Sequence, residues 1–189
     1  VDAQVADALT AAHEAGIVHR DVKPSNVFLV GSAEGTSGPF VTKLVDFGVA
    51  SAEDARLTKT GAIVGTPAYM APEQARGESE VDSRSDTYSL GATLYFLLVG
   101  QPPYVGQTMM DSLLKHRDAP IPSLSAQRPD VPLELDQLFR SMMAKNVADR
   151  CPSMNHVVKQ LEAIQAKLTP SSTTPGANCC PANSSASAS

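Results

Sequence analysis

The stretch from His19 to Asn26 constrains the fold more than any other part of the chain. It places an acid, a base and an amide within one short loop, which is the arrangement expected of a chemical site. The rest of the chain is then expected either to position this loop or to close over it.

A helix is expected to lead into the loop. Between residues 1 and 15 apolar side chains recur with the spacing of one helical face, at Val1, Val5, Ala8, Leu9 and Ala12. Gly16 follows this pattern and is a natural C-terminal stop for the helix.

Two short strands are predicted after the loop, one from Val27 to Val30 and one from Thr42 to Val45. The connection between them, residues 31–39, contains glycines that do not form a G-x-G-x-x-G pattern. It is therefore expected to be a variable hairpin loop and not a phosphate cradle.

Helical patterns dominate the second half of the chain. A helix from Asp82 or Ser83 to Val99 has apolar side chains in almost every direction, so it should be a buried central axis. Further helices are predicted at residues 108–117, around residues 135–143 and at residues 154–168, with a Pro-rich connection at residues 120–132. From residue 169 onward Ser, Thr, Ala, Pro and Asn occur without periodicity, so residues 169–189 are predicted to be a disordered tail after a domain at residues 1–168.

The composition is that of a soluble globular domain, with 42% hydrophobic and 19% charged residues. The net charge of −5 disfavours nucleic acid or anionic lipid as the main partner. The longest apolar run, Leu90 to Val99, is too short for a membrane helix, which needs about 20 residues.

Cys151, Cys179 and Cys180 lack metal-ligand spacing. This favours a reducing compartment, and a cytoplasmic location is expected for this segment even if its parent protein is anchored elsewhere.

Three further motifs follow the loop in a fixed order. Asp46-Phe47-Gly48 comes first, the segment from Gly65 to Glu73 contains Ala-Pro-Glu, and Asp86 then precedes the long apolar run. The loop itself fits the pattern H-R-D-L-x-x-x-N, with Val22 in the position usually filled by Leu. Together these motifs resemble the Hanks-type protein kinases, and the run from Thr66 to Gly77 is similar to that of bacterial members.

The resemblance implies a mainly α fold with a few short β-strands, namely the helical C-lobe of a protein kinase. It is strongest for residues 17–91. The Gly-rich loop, the V-A-I-K lysine and the helix that carries its glutamate partner do not occur in the sequence. The chain is therefore expected to be a fragment without the N-lobe, which the parent protein should supply, and to be inactive alone.

The resemblance also implies the chemistry of individual residues. Asp21 would orient a substrate hydroxyl and accept its proton, while Lys23 would reach the γ-phosphate of ATP and mark specificity for Ser/Thr acceptors in protein substrates. Asn26 and Asp46 would be Mg²⁺ ligands and, with Lys23, would bind the Mg²⁺-ATP cofactor. Phe47 would pack to hold Asp46. Taken singly, these residues are also compatible with ordinary roles in turns and on solvated surfaces.

Regulatory roles are implied for Arg20 and three threonines. A phosphate on Thr58 or Thr60 would pair with the Arg20 guanidinium and order the activation loop. Thr66 would contact Asp21 and Lys23 and shape the pocket beyond the acceptor residue. An ordinary polar loop is the alternative for Thr58 and for Thr60.

Several other residues are expected to have structural roles. Asp86 lies on an apolar helix, where an unpaired carboxylate is costly, so it should accept hydrogen bonds from the backbone around His19 and Arg20. Glu73 and Arg150 should form an ion pair. His19 is expected to pack beneath the loop, and Gly48 to permit a sharp backbone turn. The other histidines, His13, His116 and His156, are expected at the surface.

The leading interpretation is a serine/threonine protein kinase that uses ATP and Mg²⁺. A catalytically silent kinase-like module that binds or regulates partners is the alternative, and a small-molecule phosphotransferase is a third possibility. The activation segment and the Ala-Pro-Glu motif disfavour the third, and the retained Asp21, Lys23, Asn26 and Asp46 disfavour the second.

Overall fold

The computed structural model describes residues 2–31, 40–47, 67–78 and 81–168. Seven helices and two strands occur within these residues: α1 Asp2–Glu14, β1 Val27–Val30, β2 Val41–Leu44, α2 Pro72–Ala75, α3 Arg84–Val99, α4 Met109–Asp118, α5 Leu124–Gln127, α6 Leu133–Met142 and α7 Met154–Leu168. Short 3-10 turns lie at Pro24–Asn26, Pro67–Tyr69 and Val147–Asp149. The predicted fold class, mainly helical with a few short strands, is confirmed. The proposed tail and residues 32–39 lie outside the described residues.

Helix α1 delivers the chain to the loop as predicted. It buries Val5, Ala6 and Leu9 and packs against α7. Gly16 follows it with φ of 75°, a left-handed conformation that glycine adopts without steric cost.

Strands β1 and β2 form an antiparallel ribbon in which Val27 faces Leu44 and Val30 faces Val41. The second strand begins and ends one residue earlier than predicted. Val45 lies just beyond the ladder, but its backbone N–H still donates to the Asn26 carbonyl at 3.0 Å. This bond ties the end of β2 to the end of the loop.

Helix α3 is the buried axis that its sequence predicts. Every residue from Ser85 to Tyr95 is buried, and apolar clusters from α1, α6 and α7 pack around it. A Cβ at Gly91 would lie 3.1 Å from the Met142 Cβ, so glycine permits the close approach of α3 and α6. Gly100, with φ of 83°, ends the helix. No helix within the described ranges is long and apolar enough to cross a membrane.

The Glu73–Arg150 ion pair is present and almost fully buried. The guanidinium donates to both carboxylate oxygens of Glu73 at 2.6 and 2.7 Å, and the Ser85 hydroxyl donates to Glu73 Oε1. Burial alone would raise the pKa of Glu73, but the bonds from Arg150 and Ser85 and the Arg150 charge bring it below its usual range. The pair fastens α2 to the turn before α7.

The Pro-rich connection contains a helical turn that the sequence interpretation missed. The Ser123 side chain accepts a hydrogen bond from the Ala126 N–H at 3.3 Å and so caps α5. The Leu124 N–H donates to buried Asp136 in α6 at 2.6 Å. The turn is therefore held by a local cap and by a contact from another helix, and local periodicity does not mark it.

The surface location expected for His116 is wrong. Its side chain lies on α4 with no exposed area, and the Tyr88 hydroxyl of α3 is 2.9 Å from its Nδ1. The Lys145 ammonium donates to the His116 carbonyl at 2.6 Å. Burial, together with the Lys145 charge, lowers the pKa of His116 to about 4.

This burial predicts a loss of stability on mild acidification. The unfolded chain takes up a proton on His116 near pH 6.5 and the folded chain only near pH 4, so the free energy of unfolding falls across that window, by up to about 3 kcal/mol. Urea unfolding at pH 7 and pH 5 measures the change. His116→Gln should remove this part of the pH dependence, whereas the matched substitution of exposed His156 to Gln should keep it. An equal pH dependence in all three proteins would contradict the assignment.

Candidate active site

The loop between α1 and β1 is held in place by one buried carboxylate in α3, that of Asp86. Asp86, in the first turn of α3, has no exposed area. Its oxygens accept from the backbone N–H groups of His19 and Arg20, each at 2.8 Å. The predicted hydrogen bonds are therefore present. The sequence interpretation missed a third contact, since Nε2 of His13 in α1 lies 2.8 Å from Asp86 Oδ2. The expected surface location of His13 is thus wrong, while His156 is exposed as expected.

Among the site residues that the structure describes, two that are not glycine have left-handed backbones. The φ of Arg20 is 66° and that of Asp46 is 55°. Such a conformation costs about 1–2 kcal/mol per residue, so it persists only where surrounding contacts hold it. At Arg20 one of these contacts is the Asp86 carboxylate.

His19 connects the loop to the segment after β2. Its ring is fully buried, with Nε2 at 3.1 Å from the Val45 carbonyl and Nδ1 accepting from the Asp21 N–H at 3.3 Å. A single tautomer, with the proton on Nε2, satisfies both bonds. The ring also lies 4.7 Å from the Phe47 ring, centroid to centroid. Packing beneath the loop, the role expected for His19, is what the geometry shows.

Asp21, Lys23 and Asn26 come together as the motif predicts. Lys23 Nζ donates to Asp21 Oδ2 at 2.7 Å, and Asn26 Nδ2 donates to the same oxygen at 3.2 Å and to the Asp21 carbonyl at 2.9 Å. The Asp21 side chain is 41% exposed, whereas Asn26 is 5% exposed. Among the residues that the structure describes, both side-chain bonds to the Asp21 carboxylate end on Oδ2.

Asn26 and Asp46 fit a magnesium ion that is shared with a ligand. Toward the residues that the structure describes, the Asn26 side chain forms two hydrogen bonds, and both use its nitrogen. Its carbonyl oxygen lies on the other side of the amide, and the Asp46 side chain is exposed. No group of three or more His, Cys, Asp or Glu side chains among the described residues would hold a metal. Mg²⁺ is commonly bound by one or two protein oxygens together with substrate phosphates, and this donor set suits that mode.

The segment that precedes α2 lies against the loop. Tyr69 and Met70 line a small cavity of about 20 Å³ together with Arg20 and Asp21, large enough for about one water molecule. Four predicted site residues, Gly48, Thr58, Thr60 and Thr66, lie outside the described residues. The partner of the Arg20 guanidinium that the resemblance implies is among them.

The sequence interpretation also missed Gln74. Its Nε2 donates to the Arg20 carbonyl at 2.9 Å, across 54 positions of the chain. No local pattern marks this residue. Its place directly after the Ala-Pro-Glu motif is the only signal the sequence offers.

Comparison with known proteins identifies the family. The family model described as protein kinase domain matches residues 1–161. The chain belongs to the protein kinase domain family. The predicted resemblance to bacterial Hanks-type serine/threonine kinases is thereby confirmed, and kinases of this family generally use ATP with Mg²⁺ and act on proteins.

Several bacterial kinases are similar to this kinase chain. Serine/threonine-protein kinase Pkn1 of Myxococcus xanthus is 45% identical over 153 residues, which are 80% of the chain and 22% of that protein. PknL of Mycobacterium tuberculosis is 40% identical over 161 residues, 85% of the chain and 38% of that protein. PknB of Mycobacterium leprae is 40% identical over 151 residues, 78% of the chain and 23% of that protein. The chain thus spans between about a fifth and two fifths of the length of these relatives.

Proposed function

We propose that this chain carries the catalytic-loop half of a serine/threonine protein kinase, which transfers the γ-phosphate of ATP to hydroxyl groups of proteins. The observation that supports this most directly is the Asp21–Lys23–Asn26 cluster, in which an exposed carboxylate contacts an ammonium group at 2.7 Å and a buried amide at 3.2 Å. The loop that carries it is fixed by Asp86. A catalytically silent module would not require this arrangement.

In the proposed reaction Asp21 acts on the acceptor. Oδ1 accepts a hydrogen bond from the substrate hydroxyl and takes its proton as the oxygen attacks the γ-phosphorus. The bond from that phosphorus to the bridging oxygen of ADP breaks, and ADP leaves with the electron pair. Asn26 and Lys23 hold the Asp21 carboxylate in place. This matters because positioning supplies most of the catalysis in such a reaction.

Lys23 is placed for a second task. Its ammonium group is largely covered and remains within reach of Asp21, so it would neutralise charge on the phosphoryl group while it moves between donor and acceptor. Asn26 and Asp46 would hold Mg²⁺, which supplies charge neutralisation on the phosphate oxygens. The relatives named as serine/threonine kinases support the same choice of acceptor.

We further propose that activity is controlled through Arg20. A phosphate on Thr58 or Thr60 would pair with its guanidinium, and Thr66 would line the acceptor pocket beside Asp21 and Lys23. Phe47, in contact with the His19 ring, would keep Asp46 directed to the nucleotide. We also propose that residues 1–168 form the domain and that residues 169–189 are a low-complexity tail. The proposed location of this segment is the cytoplasm.

The exposed apolar surface of the β1–β2 ribbon suggests that another part of the kinase covers it. Large apolar side chains are exposed on and beside it: Phe28, Leu29, Val30, Phe40 and Val41. An apolar surface of this kind is normally covered by a partner. In a complete kinase the N-lobe would take this place and close the nucleotide site.

Replacing Asp21 with Asn should abolish transfer and leave nucleotide binding nearly intact, because Asp21 contacts the hydroxyl and not the nucleotide. In a polypeptide that contains this chain with the rest of its kinase domain, we expect radiolabel transfer to a generic basic protein to fall about 10²–10⁴-fold. Calorimetry with Mg²⁺-ATP should show unchanged affinity. Asp7→Asn, at an exposed position of α1, is the matched control. A near wild-type rate in Asp21→Asn would refute the role.

The 189-residue chain alone should not be a competent kinase. Asn26 and Asp46 would bind Mg²⁺ weakly, but without a second wall the nucleotide stays hydrated and its γ-phosphate is not held in line. Calorimetry with Mg²⁺-ATP should show binding weaker than micromolar, and transfer should be negligible. Micromolar affinity with turnover like that of an intact kinase would show that the chain completes its own cleft.

A further inference from the structure

Gln74 joins two parts of the kinase that the proposed mechanism treats separately. It is the third residue of α2, directly after Glu73, whose carboxylate is bound by Arg150. Its own side chain extends to the loop, where Nε2 donates to the Arg20 carbonyl at 2.9 Å. One short helix is thus anchored in the helical core by Glu73 and contacts the catalytic loop through Gln74.

The contact falls on the peptide group that leads into Asp21. The Arg20 carbonyl and the Asp21 N–H belong to the same planar unit. Gln74 binds the carbonyl side, and His19 Nδ1 accepts from the N–H side at 3.3 Å. Both ends of this peptide group are therefore held by side chains.

The preceding peptide group is held as well. Arg20 has φ of 66°, and its own N–H donates to Asp86 at 2.8 Å. A left-handed arginine would relax to a right-handed or extended backbone if one of its flanking peptide groups were free to turn. Such a turn would redirect the Asp21 side chain, which is the next one along the chain.

The orientation of the Gln74 amide is defined by its second contact. Oε1 accepts from the Ala71 N–H at 3.1 Å, while Nε2 faces the Arg20 carbonyl. A flipped amide would set donor against donor at the Ala71 N–H and acceptor against acceptor at the Arg20 carbonyl. Only a side chain that accepts at one end and donates at the other satisfies this site.

We propose that Gln74 is a positioning residue for phosphoryl transfer, which fixes the Arg20–Asp21 peptide group and so aims the Asp21 carboxylate. The inference rests on the proposed kinase function for its effect on rate, but the clamp itself is a property of the described structure. Through this hydrogen bond, α2 contacts the peptide group that directly precedes Asp21.

Two substitutions separate the donor from the acceptor of the amide. Gln74→Glu keeps an oxygen for the Ala71 N–H but sets a carboxylate oxygen against the Arg20 carbonyl. Gln74→Lys keeps a donor for that carbonyl and loses the acceptor. Arg76→Gln, at an exposed position just after α2, is the control for changes of charge and packing.

The first measurement is steady-state transfer by a polypeptide that contains this chain with the rest of its kinase domain. We expect Gln74→Glu to lower kcat about tenfold, the usual effect of losing one hydrogen bond, with the KM for ATP unchanged. Gln74→Lys and Arg76→Gln should stay within about threefold of wild type. A wild-type kcat in Gln74→Glu would overturn the proposal. An equal loss of kcat in Gln74→Glu and Gln74→Lys, together with a lower free energy of unfolding, would also overturn the proposal. That result would show that Gln74 only stabilises α2.

The second measurement does not depend on activity. Amide hydrogen exchange of the 189-residue chain should show the Asp21 N–H exchanging about tenfold faster in Gln74→Glu and unchanged in Gln74→Lys. The Arg20 N–H, which Asp86 holds, is the internal reference. If the wild-type polypeptide that also contains the rest of the kinase domain transfers no phosphate, the proposed function fails, and the exchange pattern still decides whether the clamp exists. Equal Asp21 exchange in both variants would overturn it.

Discussion

The site depends on the carboxylate of Asp86. A carboxylate with no exposed area is tolerated only when donors surround it, and here the donors are two backbone N–H groups of the loop and the His13 ring. The carboxylate thereby fixes the left-handed backbone at Arg20 and the direction of the chain into Asp21. The loop is thereby attached to a helix in which every residue from Ser85 to Tyr95 is buried.

A second buried carboxylate, that of Glu73, holds α2 in place on the other side of the site. Its bidentate bond with Arg150 leaves neither charge uncompensated, and removing one partner of such a pair costs about 3–5 kcal/mol. Gln74 connects the two anchored parts. The loop and α2 are therefore held by separate buried charges and joined by one neutral amide, so a displacement of α2 would be transmitted to the peptide group before Asp21.

Much of this arrangement was predictable from motifs and periodicity. The contacts of Asp86, the Glu73–Arg150 pair and the helix bounds near Gly16 and Gly100 follow from rules that act on a few residues at a time. The locations of His13 and His116 were not predictable, because a lone histidine in a helix carries no mark of what packs against it. Helix α5 and the Gln74 contact were missed for the same reason, since their partners are remote in sequence.

We expect the loop to lose its conformation, and the chemistry to fail, when the Asp86 side chain cannot accept hydrogen bonds from all three donors. An Asp86→Asn substitution preserves size but turns an NH₂ group toward at least one of them. The direct measurement is phosphate transfer by a polypeptide that contains this chain with the rest of its kinase domain, beside Mg²⁺-ATP calorimetry and urea unfolding. We expect the transfer rate to fall at least about a hundredfold, with nucleotide binding and cooperative unfolding retained. A folded variant that transfers phosphate near the wild-type rate would contradict the central role of Asp86.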